Sequence, residues 1–96
     1  MIDIVMTQIV IYGDQNYLYI KPCQPISFKK RYKFKRTEIK KTRVDTKTKR
    51  TRHGLSRWHD VVLVTNDNNE HIVLTARDKR EGLVVRKELK KWRIYV

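Results

Sequence analysis

The sequence predicts an α+β fold, in which an antiparallel β-sheet or small barrel is covered by one C-terminal amphipathic helix. Short runs rich in β-branched and aromatic residues, separated by turn residues, extend as far as residue 76. Apolar residues at helical spacing appear only after that point, and strands that precede a single helix are typical of α+β proteins with antiparallel sheets. Because the 96 residues contain no internal repeat and no linker, we expect one domain, 1–96.

The N-terminal part of the chain predicts a β-hairpin. Residues 4–12 and 17–21 are rich in β-branched and aromatic residues, and residues 13–16 (GDQN) between them have the composition of a turn. Pro22 and Pro25 end this pattern, because proline cannot donate a hydrogen bond to a β-ladder.

Residues 26–36 alternate with a period of two and predict a half-buried strand. Phe28, Tyr32 and Phe34 fall on one face of this strand. The other face carries four bases, namely Lys29, Arg31, Lys33 and Lys35. The sequence therefore predicts a row of cations about 6.8 Å apart on the solvent side of the strand.

Residues 39–50 predict a long exposed strand that leads into a mobile loop around Lys47 to Gly54. Its two aliphatic residues, Ile39 and Val44, have an odd spacing, so both face the core only if a bulge or bend intervenes. The other residues are mainly threonines, lysines and arginines, and threonine favours extended backbone.

The last part of the chain predicts a second hairpin and then the helix. Strands at 58–65 and 70–75 flank the turn-forming residues 66–69 (NDNN). Asp78 is the expected N-cap of a helix over about 78–92, with Glu81 at the position of a capping box. The apolar stripe of this helix is expected to pack on the sheet, with cations on its other side.

The positive charge is concentrated in the middle of the chain. The net charge is +13, and the segment from Lys29 to Arg57 holds fourteen Lys and Arg residues against two acids. Such a regional excess attracts anionic partners, and it exceeds the net charge of about 2–8 that keeps a small domain soluble. The competing interpretation is a solvated face, or a Lys-rich edge strand that discourages aggregation.

Binding of nucleic acid through its phosphate backbone is the leading functional prediction, because cations supply such affinity through counterion release. The predicted phosphate contacts are Lys29, Arg31, Lys33, Lys35, Lys40, Lys41, Arg43, Lys47, Lys49, Arg50 and Arg52. Tyr17 and Tyr32 are the candidates for base stacking. The other large aromatics are assigned to the core: Phe28, Phe34, Trp58 and Trp92. Nothing marks a recognition helix, so we expect little sequence specificity, and the choice between DNA and RNA stays open.

No pattern in the sequence indicates catalysis or a bound metal. The three histidines and Cys23 match no zinc spacing, and there is no glycine-rich phosphate loop, nucleophile elbow or carboxylate cluster. We therefore expect a non-catalytic protein without metal or cofactor. A single cysteine excludes an internal disulfide, and the absence of a signal segment or a membrane-spanning run predicts a cytoplasmic protein.

The order of elements resembles that of bacterial pleckstrin-homology-like (PH-like) small barrels. Strand, turn, strand and capped helix follow one another in WHDVVLVTNDNNEHIVLTARDKREGLVVRKELKKW, from Trp58 onward. Upstream, FKRTEIKKTRV resembles the entry to a long strand in such domains, with Ile39 at its start. SH3-like and OB-type barrels share similar patterns. The resemblance implies a binding scaffold and not an enzyme. The phosphoinositide binding of eukaryotic members uses bases in the first loop, and residues 13–16 contain none, so that function does not carry over.

Other partners stay open at this point. An adaptor that docks an acidic protein is the runner-up, because it suits a PH-like scaffold. An anionic membrane surface is less favoured, since the apolar stripe of the helix is narrow. Free strand edges also allow a homodimer. The Lys-rich, Asn-containing composition also suits a phage or mobile-element protein.

Overall fold

The structure is a computed structural model that describes residues 2–5, 9–22 and 31–94. Its elements, in chain order, are β1 (Ile2–Val5), β2 (Ile9–Gly13), β3 (Tyr17–Pro22), β4 (Tyr32–Lys35), a 3-10 turn (Arg36–Glu38), β5 (Ile39–Thr51), β6 (Gly54–Thr65), β7 (Glu70–Ala76) and α1 (Lys79–Lys91). The strands form two antiparallel sheets, with orders β1-β2-β3-β4 and β5-β6-β7. The α+β class predicted from the sequence is confirmed. The described strands form two separate sheets and do not close into a barrel.

The predicted strand over 4–12 is wrong, because this segment belongs to two strands. β1 and β2 pair antiparallel, with Val5 opposite Val10. β1 ends at Val5 and β2 begins at Ile9, and the polar residues Thr7 and Gln8 stand between them in the sequence. Two short apolar runs that pair side by side satisfy each other's backbone groups, which one longer edge strand leaves open.

The predicted hairpin between the next two strands is confirmed. β2 pairs with β3, and Asp14 organises the turn between them by accepting the N–H groups of Asn16 and Tyr17, both at 2.8 Å. These backbone hydrogen bonds lower the pKa of Asp14. The residues predicted to form a turn therefore do so, and the Asp14 side chain holds the turn in place.

Only part of the predicted strand over 26–36 can be compared, because residues 23–30 lie outside the described residues. The described part is β4, which ends at Lys35 before the 3-10 turn. Its alternation is confirmed, since Phe34 is buried and Lys33 and Lys35 are exposed.

β5 contains the bulge that the odd spacing of its aliphatic residues requires. The register with β6 shifts between Ile39 and Lys41, so that Ile39, Thr42 and Val44 all face the core. The predicted loop around Lys47 to Gly54 is wrong, since β5 continues to Thr51.

For the same reason β6, predicted over 58–65, begins at Gly54. Arg52 and His53 alone form the reversal, and Gly54 has a φ of +115°, which favours glycine. Thr51 supports this turn, because its hydroxyl donates to the Gly54 carbonyl at 3.0 Å and accepts from the His53 N–H at 3.3 Å.

Helix α1 completes a core that both sheets share. Asp78 is the N-cap, as predicted, and its carboxylate accepts the N–H of Arg80 at 2.9 Å. The buried cluster joins the inner faces of both sheets to the helix through Ile11, Leu18, Ile20, Phe34, Val61, Leu63, Val85, Leu89 and Trp92.

The assignment of Trp58 to the core is wrong, because Trp58 lies half-buried on the outer face of β6. Phe28, which was also assigned to the core, lies outside the described residues. In the described part of the chain, no helix has the length and apolar character needed to cross a membrane.

Candidate nucleic-acid interface

The β5–β6 hairpin extends past the edge of its own sheet. β7 pairs with β6 only as far as His59, which faces Ala76, so residues 47–51 and 54–58 pair with each other alone. We call residues 47–58 the arm. Each of its two strands spans about 17 Å at about 3.4 Å per residue. Residues 47–57 are all exposed, and the molecule measures 47 × 29 × 21 Å, so the arm is presented to solvent on an elongated body.

The arm contains no Asp or Glu. Its bases are Lys47, Lys49, Arg50, Arg52 and Arg57. Because paired residues of an antiparallel ladder share a face, Arg50 and Arg57 lie on the face that continues from the core, and Lys47 and Lys49 lie on the opposite face. Both faces of the arm are therefore cationic, and no acid within the arm reduces the local field.

Lys47 differs from the other bases of the arm. Its Nζ lies 3.0 Å from Oδ2 of Asp60, whose side chain is 4% exposed. The other carboxylate oxygen of Asp60 accepts a hydrogen bond from the Thr75 hydroxyl at 2.9 Å. Because a buried carboxylate is costly without a partner, Lys47 contributes to stability at the root of the arm.

Replacing Lys47 by glutamine is expected to lower the free energy of unfolding by about 1–2 kcal/mol, because Asp60 keeps its burial and loses its cation. Lys49→Gln is the matched control, since Lys49 lies on the same face, two residues along, and is exposed. Urea denaturation of both variants measures the effect. Equal stability of the two variants would show that the ion pair with Asp60 is dispensable.

The other four bases of the arm have no ion pair like that of Lys47. The side chains of Lys49, Arg50, Arg52 and Arg57 form no ion pair or hydrogen bond with any described residue. No acid of the described residues pairs with these four cations, and cations of this kind bind phosphates with release of the counterions condensed on the nucleic acid.

Other predicted phosphate contacts at the start of β5 are partly engaged. Arg43 donates to the Asp45 carboxylate at 3.0 and 3.1 Å and pairs with Glu70, and these hydrogen bonds raise the pKa of Arg43. Lys40 donates to the side-chain oxygen of Asn68 at 2.7 Å. Lys41 is exposed and borders a groove whose other basic residues are Arg86, Lys90 and Arg93.

The row of cations predicted over residues 26–36 lies on and next to β4, in the sheet that does not contain the arm. Arg31, Lys33 and Lys35 are exposed on or next to β4, and Lys29 lies outside the described residues. The predicted bases therefore belong to two sheets and do not form one row.

Tyr17 lies in an aromatic cluster on the outer face of the first sheet. Its ring is 6.2 Å from that of Tyr19, which stacks on Tyr12 at 5.0 Å, and the Nζ of Lys33 lies 4.4 Å from the Tyr17 ring centroid. Lys21 lies 5.3 Å from the Tyr12 ring. These cation–π contacts occupy the rings, so a base would stack on Tyr17 only by displacing Lys33.

Sequence reasoning missed Tyr12, Tyr19 and Lys21 as members of this cluster. The available signal was the hairpin register, which places Tyr12 opposite Tyr19. Tyr32, the other stacking candidate, is on the core side of β4, where it stacks on Phe34 at 5.6 Å and its hydroxyl donates to the Ile72 carbonyl at 2.9 Å.

Within the described ranges, no three His, Cys, Asp or Glu side chains lie close enough together to hold a metal ion. No protein-family model, curated protein or solved structure matches the chain. Function is therefore inferred from the geometry and charge of the surfaces described above. Among them, the arm holds five bases and no acid, and four of these bases have no partner among the described residues.

Proposed function

We propose that this protein is a non-catalytic module of the cytoplasm that binds nucleic acid through the phosphate backbone, with little sequence specificity. The observation that carries this proposal is the arm, an exposed two-stranded ribbon without acids. Four of its bases, Lys49, Arg50, Arg52 and Arg57, have no partner among the described residues. A PH-like scaffold, as the order of elements suggests, is compatible with a role in binding.

The chemistry of the arm favours a polyanion over a small ligand. Its four free cations lie along two strands of about 17 Å each and at the turn between them. Such a spacing suits several successive phosphates of one strand or duplex, and each neutralised phosphate releases condensed counterions. Lys and Arg contacts of this kind position the protein on the backbone and do not read the sequence.

The proposal predicts a steep dependence of affinity on salt. Four phosphate contacts give a slope of log affinity against log salt of about −3.6, which corresponds to a loss of roughly 150-fold between 50 and 200 mM salt. Fluorescence anisotropy with labelled 20-mers of single- and double-stranded DNA and RNA measures both quantities. Affinity that stays weaker than micromolar at 50 mM salt for all four ligands would contradict the proposal.

That negative outcome would favour the alternative partner, an acidic protein docked by the same cations. Such a complex would have a defined 1:1 stoichiometry and would not respond to the length of an added nucleic acid. A titration with 10-mers and 40-mers distinguishes the two cases, because backbone binding without sequence specificity becomes tighter on longer strands, which offer more overlapping sites.

A further inference from the structure

We infer that the arm enters the major groove of B-form DNA and places Leu55 against the base pairs. This inference rests on the proposed function and names its ligand as duplex DNA. Three features of the arm carry it: its width, the exposure of Leu55, and the arrangement of the bases around that leucine.

The width of the arm fits one groove better than the others. Two paired strands lie about 4.8 Å apart, and their side chains add several ångströms on each side. The major groove of B-form DNA is about 12 Å wide and admits a two-stranded ribbon, whereas the minor groove is about 6 Å wide. The major groove of A-form RNA is too deep and narrow for side chains to read. The arm therefore fits the major groove of B-form DNA and not that of A-form RNA.

Leu55 is the second feature. It is 73% exposed, which is more than any other large apolar side chain in the described part of the chain, and it is the only aliphatic residue of the arm. It directly follows Gly54 at the reversal of the hairpin, so it lies near the tip, far from the core. An apolar side chain at this place gains free energy only when a partner covers it, and the methyl group of thymine in the major groove is such a partner.

The bases around Leu55 are placed to hold it there. Arg50 is its direct cross-strand neighbour, and Arg57 lies two residues along on the same face. Arg52 is at the turn, whereas Lys49 lies on the opposite face of the arm, away from the leucine. Phosphates line both walls of a groove, so when Leu55 points to the floor the cations beside it are Arg50 and Arg57 on its own face and Arg52 at the turn.

The test compares Leu55→Ser with Leu83→Ser, a matched control. Leu83 is also exposed, at 42%, but it lies on α1 and outside the arm. On a 20-base-pair DNA duplex, Leu55→Ser is expected to weaken binding about tenfold without changing the salt slope, because the lost contact is apolar. Leu83→Ser is expected to bind like the unmodified protein.

A second measurement uses the same sequence as an RNA duplex. The unmodified protein is expected to bind it at least tenfold more weakly than the DNA duplex, and Leu55→Ser is expected to remove most of that difference. Netropsin, which occupies the minor groove of A·T-rich DNA, is expected to leave binding unchanged.

Three results would overturn the groove assignment while leaving backbone binding intact: equal affinity for both duplexes, tighter binding to single strands, or equal behaviour of the two serine variants. The failure of the proposed function looks different, since no ligand would then bind in a salt-dependent manner. Melting curves of both variants are expected to match that of the unmodified protein, because both leucines are exposed.

Discussion

Replacing Lys49, Arg50, Arg52 and Arg57 together by glutamine is expected to abolish salt-dependent binding of nucleic acid. These bases are exposed and have no partner in the described part of the chain. If each contacts one phosphate, the slope of log affinity against log salt falls from about −3.6 to near zero. At 100 mM salt the affinity decreases on the order of 10³-fold. Anisotropy titrations over a range of salt concentrations measure both changes.

The control for this variant removes the same number of charges elsewhere. Lys79, Arg80, Lys87 and Lys90 are exposed on α1, and their replacement by glutamine changes the net charge equally. Glutamine has a helix propensity close to that of Lys and Arg, so the helix is retained. The helix variant is expected to keep most of the salt slope. An equal loss in both variants would show that affinity follows total charge and not the arm.

A third variant examines the row on the first sheet. Arg31→Gln, Lys33→Gln and Lys35→Gln together remove the exposed cations of β4 and its entry. Lys33 already contacts the rings of Tyr17 and Tyr19, so its charge is less available than those of the arm. A larger decrease in slope than that of the arm variant would identify the outer face of the first sheet as the binding surface.

The sequence predicted those parts of the fold that follow from local patterns. The alternation of Phe34 with Lys33 and Lys35 and the Asp78 cap are confirmed, because each depends on residues that are close in sequence. These two features need no knowledge of the partner strand, whereas the odd spacing of Ile39 and Val44 left a bulge or bend as a condition that the register with β6 meets.

The ends of the arm could be predicted only from the pairing with the partner strand. Residues 47–57 contain one aliphatic residue, so no apolar period indicates a strand there, and pairing between β5 and β6 determines where each strand ends. The engagement of Lys47 was equally hidden, since Asp60 is thirteen residues away in sequence and lies beside it only through the β5–β6 register. The charges in the sequence identify the basic segment, but they do not show which of its cations form ion pairs.

The turn of the β2–β3 hairpin meets the end of α1 at a closely packed junction. Arg36 joins three segments there: its backbone N–H donates to the Asn16 carbonyl at 2.9 Å, its Nη1 donates to the Asp14 carbonyl at 3.0 Å, and its Nε donates to the Trp92 carbonyl at 2.9 Å. The guanidinium also lies 5.0 Å from the Trp92 ring. Gly13 occupies the space beside that ring, so any added atom meets closely packed neighbours.

Gly13→Ala is therefore expected to destabilise the protein by about 2–3 kcal/mol, which is the cost of overpacking a rigid site. The new Cβ would overlap the backbone oxygen of Tyr17 and would lie 2.7 Å from Cζ3 of Trp92, and neither atom belongs to a flexible chain end. The melting temperature is expected to fall by roughly 10–20 °C. Thermal unfolding followed by circular dichroism measures this change.

The same substitution at Gly82 provides a control with the opposite sign. A Cβ at Gly82 would meet Val44, Val61 and His59 at 3.6–3.8 Å, which is ordinary van der Waals contact. Because Gly82 lies inside α1, Gly82→Ala is expected to stabilise the protein by about 0.5–1 kcal/mol through the higher helix propensity of alanine. If the melting temperature of Gly13→Ala equalled or exceeded that of the unmodified protein, the contact between the β2–β3 hairpin and Trp92 would be looser than the structure shows. The packing of the helix end on that hairpin would then have to be revised, whereas the arm, which lies on the other sheet, would be unaffected.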